Sequence, residues 1–247
     1  MPLPPHFEAR LASARTLTRS VRELTFERTD GAAMTFEPGQ WVNMVLPIAA
    51  GGAADLKRSY SIASPPDGTP RFVLAVTHVQ GGPASSWLHA VEPGVTVPFI
   101  GPQGFFTRPA KSTAPALMVA TGTGVTPLRS MLLAALAAGM QTPVWILLGV
   151  RREEDLLYRD ELAAAAAAHP FVRFEPSLSQ PGDTWRGRRG YVQTHVRAMW
   201  DELVAPGPAE PPHVYVCGLE RMVGSVRDLL RKDMGLPRQQ VHSERYD

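Results

Sequence analysis

Between Phe7 and about Ile100, short β-favouring runs are repeatedly interrupted by turn residues. Val21–Arg28, Trp41–Leu46, Arg58–Ala63, Arg71–His78 and Val95–Ile100 read as strands, separated by Asp30-Gly31, Glu37-Pro38-Gly39, Asp67-Gly68 and Glu92-Pro93-Gly94. Short strands at this spacing predict an antiparallel barrel. The one helical interruption is Ser85–Ala90, where Gly81-Gly82-Pro83 precedes a Ser near the cap, and a helix N-terminus there can face an anion. From Ala116 the period changes. Apolar strands at Ala116–Ala120, Val144–Val150, Phe171–Ser177 and Val214–Cys217 alternate with helices at Pro127–Ala138, Asp155–Ala168, Tyr191–Val204 and Arg221–Met234. That alternation predicts a doubly wound α/β domain with a parallel sheet. The stretch from Pro102 to Pro115 reads as the linker, with the boundary near Arg108–Thr113, so the expected domains are residues 1–108 and 113–247.

Composition narrows the function classes. With 44% hydrophobic and 19% charged residues, the 247-residue chain can bury a substantial core and is not a disordered chain. A formal charge of +2 makes a general nucleic-acid or anionic-membrane binder a poor fit. Cys217 is the only cysteine, which excludes an intrachain disulfide and a site built on several thiolates of this chain. The seven histidines are scattered without a regular ligand spacing, so no metal site is expected. Met1-Pro-Leu-Pro-Pro-His does not read as a signal peptide, and no segment reads as a membrane span, so the expected compartment is a reducing cytoplasm.

Four segments carry candidate chemistry. Ala120-Thr121-Gly122-Thr123-Gly124-Val125-Thr126-Pro127 lies between an apolar strand and a helix, where glycines admit a pyrophosphate and the helix N-terminus attracts its charge. Pro127 stands where a G-x-G-x-x-G fingerprint would have its third glycine. Arg58-Ser59-Tyr60-Ser61-Ile62-Ala63-Ser64 is a strand whose alternation puts Arg58, Tyr60 and Ile62 on one face. Gly81 to Leu88 and Gly101-Pro102-Gln103-Gly104-Phe105-Phe106 complete the set. Each segment alone also reads as an ordinary turn or strand.

In this order, the segments resemble the ferredoxin–NADP⁺ reductase family, bacterial single-chain type, over nearly the whole chain. The resemblance implies FAD and NADPH (or NADH) as cofactors, with FAD in the cleft between the domains. It implies that Arg58 holds the FAD pyrophosphate, Tyr60 packs on the isoalloxazine and Ser61 reaches the N5 edge, with Ser59 in the same motif. Gly82 and Ser85 match the second FAD-phosphate segment. Thr123, Gly124 and Pro127 match the nicotinamide-nucleotide loop, and Cys217 with Gly218 the turn beside the nicotinamide. The terminal Glu244-Arg245-Tyr246 matches the family's acid and aromatic at the flavin, although Val241–Tyr246 also reads as a plain terminal edge strand. Ser61, Cys217, Glu244 and Tyr246 are thus the expected catalytic residues. The chemistry is consistent: a guanidinium suits a diphosphate, and a phenol ring covers a flavin face.

Selecting NADPH requires cations for the 2′-phosphate. The family places them where this chain has Arg151, Ser177-Leu178-Ser179-Gln180, and Arg186, Arg188 and Arg189. Gln180 stands where NADPH-preferring members commonly carry Arg, yet four arginines remain, and NADPH is the expected donor. The resemblance therefore implies hydride transfer from NAD(P)H to FAD and single-electron transfer to a separate ferredoxin or flavodoxin. A reductase of free flavins, quinones or ferric chelates is the nearer alternative. A non-catalytic nucleotide-sensing module is the more distant one.

Overall fold

The computed structural model describes residues 5–48 and 56–246, so the reading of the extreme N-terminus as lacking a leader rests largely on residues outside those described. Two compact units are present: residues 1–109 with 129–134, and residues 110–128 with 135–247.

The first unit contains β1 (His6–Thr18), β2 (Val21–Arg28), β3 (Trp41–Leu46), β4 (Leu56–Ser61), β5 (Arg71–Thr77), α1 (Pro83–Ala90) and β6 (Thr96–Gln103). The strands form one antiparallel sheet in the order β4-β3-β6-β1-β2-β5. An Ile62–Leu74 bridge and the Ala63 N to Val73 O hydrogen bond of 2.8 Å join its two edges, giving the expected barrel. The period-2 pattern is plain in β3, where Val42, Met44 and Leu46 are buried and alternate with half-buried positions. Phe7, Phe26, Phe72 and Phe99 fill the interior, with the Phe26 and Phe99 rings 5.0 Å apart edge to face. The sequence pattern did not single out β1, because its alternation is broken by register shifts between Leu11 and Ser13 and between Thr16 and Thr18.

The second unit contains β7 (Ala116–Thr121), α2 (Val125–Ala137), β8 (Val144–Val150), α3 (Arg159–Ala168), β9 (Val172–Leu178), β10 (Arg188–Arg189), α4 (Gln193–Val204), β11 (His213–Leu219), α5 (Glu220–Asp228) and β12 (Val241–Tyr246). Six residues of α2, 129–134, cluster with the first unit. The sheet is parallel throughout, in the order β10-β9-β8-β7-β11-β12, as the alternating pattern predicts. Its central strands are continuous apolar runs because both faces are covered. The chain winds outward from β7 in one direction and returns to β11 on β7's other side. The topological switch point therefore falls at the carboxyl ends of β7 and β11.

Several helix boundaries differ from expectation. α2 begins at Val125, after a 3-10 turn at Gly122–Gly124, so Pro127 lies inside its first turn, where its missing N–H leaves no bond unmade. α3 starts at Arg159 rather than Asp155, because the left-handed Tyr158 (φ 54°) interrupts the chain. α1 starts at Pro83 with Gly82 as its cap, which places Ser85 within the helix. No helix among the described residues is long and apolar enough to cross a membrane.

Candidate functional site

In the second unit the switch point is built by close backbone approach. A Cβ on Gly124 would lie 2.2 Å from the Cys217 carbonyl oxygen, so only glycine lets the loop after β7 pass the end of β11. Gly218 answers from the other strand: its φ is +145°, and a Cβ there would stand 2.3 Å from Thr121 Oγ1. The Leu219 N–H donates to that same hydroxyl at 3.4 Å. Thr126 Oγ1 donates to the Thr123 carbonyl at 2.8 Å and lies 3.4 Å from the Tyr246 hydroxyl.

β12 brings the C-terminal residues to this point. Its register pairs Cys217 with Glu244 and Leu219 with Tyr246. Cys217 is fully buried; burial and then the Glu244 charge push its thiol up, while a hydrogen bond with the Tyr246 side chain acts in the other direction. The thiol is therefore protonated at neutral pH and is not a nucleophile. Alongside lies a cavity of about 440 Å³ lined by Leu219, Glu220, Arg221, Arg245 and Tyr246. Arg245 is paired with Glu220 at 2.9 Å, and Leu219 is 66% exposed. Thr121, Thr126 and Cys217 thus share one site with Gly124, Gly218, Glu244 and Tyr246. Of its members, Leu219, Glu220 and Arg221 carry no sequence signal beyond following Cys217-Gly218.

The basic segment lies at the carboxyl ends of β8 and β9. Arg151 is exposed, and its carbonyl accepts from Gln180 N at 2.8 Å, which places Gln180 beside it. Arg188 Nε instead sits 3.1 Å from Glu175 Oε2, and Glu175 also takes Arg173 at 2.6 Å. Arg186 and Arg189 donate to backbone carbonyls of their own loop, at Asp183 and at Gly182 and Trp185. Trp185 is a structural element of this loop: it is buried, and its indole donates to the Arg188 carbonyl at 2.9 Å. Glu175, which occupies Arg188, had no signal in the sequence.

The first unit carries the other candidates. β4 pairs Arg58 with Met44, Ser59 with Asn43, Tyr60 with Val42 and Ser61 with Trp41. Arg58 is exposed, and Nη1 donates to the neighbouring Lys57 carbonyl at 2.8 Å. The half-buried Tyr60 ring packs on the barrel core, and burial pushes its phenol up to about 12, so the hydroxyl keeps its proton. Ser59 donates to Asn43 Oδ1 at 2.8 Å, and Ser61 is buried. Gly82 caps α1 without a side-chain bond, leaving first-turn N–H groups for an anion, with no acidic residue in that turn. The Ser85 hydroxyl is occupied locally, accepting from Val79 N at 3.0 Å and lying 3.1 Å from the Gly82 carbonyl. An exposed guanidinium, an aromatic ring and an uncapped helix N-terminus form a donor set that fits a flavin dinucleotide. Among the described residues, no cluster of three or more His, Cys, Asp or Glu could hold a metal.

Residues 8–107 match the oxidoreductase FAD-binding domain and residues 118–228 the oxidoreductase NAD-binding domain. The chain is 57% identical to ferredoxin–NADP reductase B of Sorangium cellulosum (strain So ce56) over 241 residues, covering 98% of each protein. It is 30% identical to the reductase component DmpP of phenol 2-monooxygenase from Pseudomonas sp. (strain CF600), covering 77% of this chain and 52% of that one. The crystal structure of a ferredoxin NADP⁺ reductase from Neisseria gonorrhoeae with bound FAD and NADP has the same fold. It superposes with a TM-score of 0.79 at 21% identity, over 97% of this chain and 98% of that one. With both domain types in this order and a full-length relative at that identity, the chain belongs to the ferredoxin–NADP reductase family of FAD-dependent oxidoreductases.

Proposed function

We propose that this chain takes hydride from NADPH onto FAD and passes single electrons to a small acidic carrier protein of the ferredoxin or flavodoxin class, in the cytoplasm. The observation that carries this reading is the assembly of Cys217, Glu244, Tyr246 and Thr126 at the switch point, where the Gly124–Cys217 contact keeps the nucleotide loop tight. Bound FAD would supply two-electron acceptance from a nicotinamide and one-electron release to a carrier.

The chain's residues bind and orient. Arg58 offers fixed guanidinium donors to the FAD diphosphate, with the α1 N-terminus at Gly82 as a second phosphate contact and Ser85 holding that turn in shape. Tyr60 would cover a flavin face with an uncharged phenol, and Ser59 and Ser61 would complete the motif, the latter at the N5 edge. Thr123 and Gly124 at the start of α2, with Pro127 in its first turn, receive the nicotinamide nucleotide's phosphates. Cys217 and Gly218 shape the place of the nicotinamide ring as neutral, close-packed groups. Tyr246 covers that place until the ring enters, and Glu244 stands beside it as a proton-relay or carrier-side acid. Arg151 recognises the 2′-phosphate, with Arg188 contributing only once it leaves Glu175.

Exposed Lys57 on β4 and Arg221 at α5 favour an acidic partner. Assaying NADPH oxidation with ferredoxin, flavodoxin, free flavin, a quinone and ferric chelate in turn tests the acceptor. The expected result is turnover with a protein carrier well above every small acceptor; the reverse order rejects the carrier reading.

A further inference from the structure

The face of β11 and β12 that carries Cys217 and Glu244 also carries a histidine pair. His213, Tyr215 and Cys217 alternate along β11, and His242, Glu244 and Tyr246 along β12, with Tyr215 opposite His242. His213 Nδ1 and His242 Nε2 are 2.8 Å apart, while the ring centroids are 5.1 Å apart at an interplanar angle of 10°. Those values describe two coplanar imidazoles joined end to end by one N–H···N bond. The two nitrogens face each other along a single line at 2.8 Å, which leaves no room for a metal between them. The Tyr215 ring lies flat against His242, with centroids 4.6 Å apart.

We propose that the His213–His242 bond is a positioning device for β12, a sheet edge with one strand neighbour, and fixes where Glu244 and Tyr246 stand beside Cys217. This rests on the reading of Glu244 and Tyr246 given above. Among the described residues, β12 is bonded to the sheet only through β11, so a side-chain link at its start adds a second hold beside the six-residue backbone ladder. His213 and His242 are positioning residues, not catalytic ones.

The link holds while a single proton lies between the facing nitrogens and fails when both carry one. The other titratable groups on this face are Tyr215 and Cys217 on β11 and Glu244 and Tyr246 on β12, and Arg238 lies in the turn preceding β12. β7 presents only Ala116 and Met118 opposite His213 and Tyr215. α5, with Glu220, Arg221, Arg227 and Asp228, packs on the opposite face, where Met222, Val223 and Val226 meet Val214 and Val216. Burial, and then the proximity of His213, holds His242 below its ordinary value. The unfolded chain therefore takes up this proton first as pH falls through about 6.5, and β12 loosens on the acid side.

Hydrogen exchange of Val241–Tyr246 in the FAD-loaded protein, corrected for intrinsic pH dependence, reads the device directly. The wild type should exchange faster below about pH 6. His242→Phe keeps a ring against Tyr215 without the nitrogen, and should exchange about two- to tenfold faster at pH 8, the range one hydrogen bond covers, with the acid effect gone. His242→Gln, whose amide can bond either form of His213, should restore protection at both pH values. Flavin reduction by NADPH should follow the same order. Wild-type exchange in His242→Phe, or an acid effect that survives in it, overturns the proposal. Failure of the underlying reading looks different: β12 loosens in His242→Phe while Glu244→Gln and Tyr246→Ser leave flavin reduction unchanged, and that pattern overturns the link to catalysis.

Discussion

Gly124 and Cys217 touch through their backbones: a Cβ on Gly124 would come within 2.2 Å of the Cys217 carbonyl oxygen and 2.5 Å of its carbonyl carbon. Neither atom belongs to a flexible side chain, so the contact cannot yield without parting the nucleotide loop from β11. Gly124→Ala should cost about 1–3 kcal/mol of stability, as overpacking does, and weaken NADPH binding as the loop shifts. Gly122→Ala is the control, since its Cβ meets nothing within 4 Å and the change bears only the strain of a φ of 52°. Thermal unfolding and NADPH titration of both variants check this; equal losses would mean that the close approach is unimportant.

Arg58→Ala should release FAD. Its guanidinium is exposed and donates to a neighbouring carbonyl, so removal should leave the barrel intact while deleting a charge-assisted contact worth about 1.5–3 kcal/mol. Flavin content after gel filtration at low protein concentration is the readout. Stoichiometric FAD in the variant would contradict the role.

The arginines near the 2′-phosphate position should differ from one another. Arg151→Ala should weaken NADPH binding by about 1.5 kcal/mol or more, roughly tenfold, and leave NADH unaffected. Arg188→Ala should have a smaller effect on NADPH, because its guanidinium is already held 3.1 Å from Glu175. Dissociation constants for both nucleotides with both variants decide it, and the opposite ranking would assign the phosphate to Arg188.

Tyr246→Ser should tighten nicotinamide binding and narrow the preference for NADPH over NADH. The ring that both nucleotides must displace is gone, so their shared nicotinamide end contributes more. Turnover should fall as the oxidised nucleotide leaves more slowly. Affinities and kcat for the two nucleotides test this, and unchanged affinities would remove Tyr246 from the nicotinamide's path.

The fold was largely legible because periodicity is local information. Alternation in Trp41–Leu46 and the apolar run Val144–Val150 define β3 and β8 to the residue. β1 was not legible, since bulges break its period, nor was the start of α3, where Tyr158 adopts a left-handed conformation that no neighbouring residue announces. The loop at Thr121–Pro127 and the Cys217-Gly218 turn were visible as motifs. Their contact was not, because it joins positions far apart in sequence through a parallel sheet. The same reason hides the capture of Arg188 by Glu175 and the pairing of His213 with His242, which read as scattered charges and histidines until β9, β11 and β12 align them.

On the proposed function, FAD bound to this chain accepts hydride from NADPH. The direct measurement is anaerobic stopped-flow mixing of the FAD-loaded protein with NADPH, following the flavin absorbance, with Ser61→Ala alongside. Stoichiometric bleaching by one equivalent of NADPH is expected, and in Ser61→Ala retained FAD with bleaching slowed by up to about a hundredfold, the lower end for loss of a catalytic hydrogen bond. A bound flavin that NADPH leaves oxidised would overturn the proposed function, and one bleached equally fast in Ser61→Ala would remove Ser61 from the N5 edge.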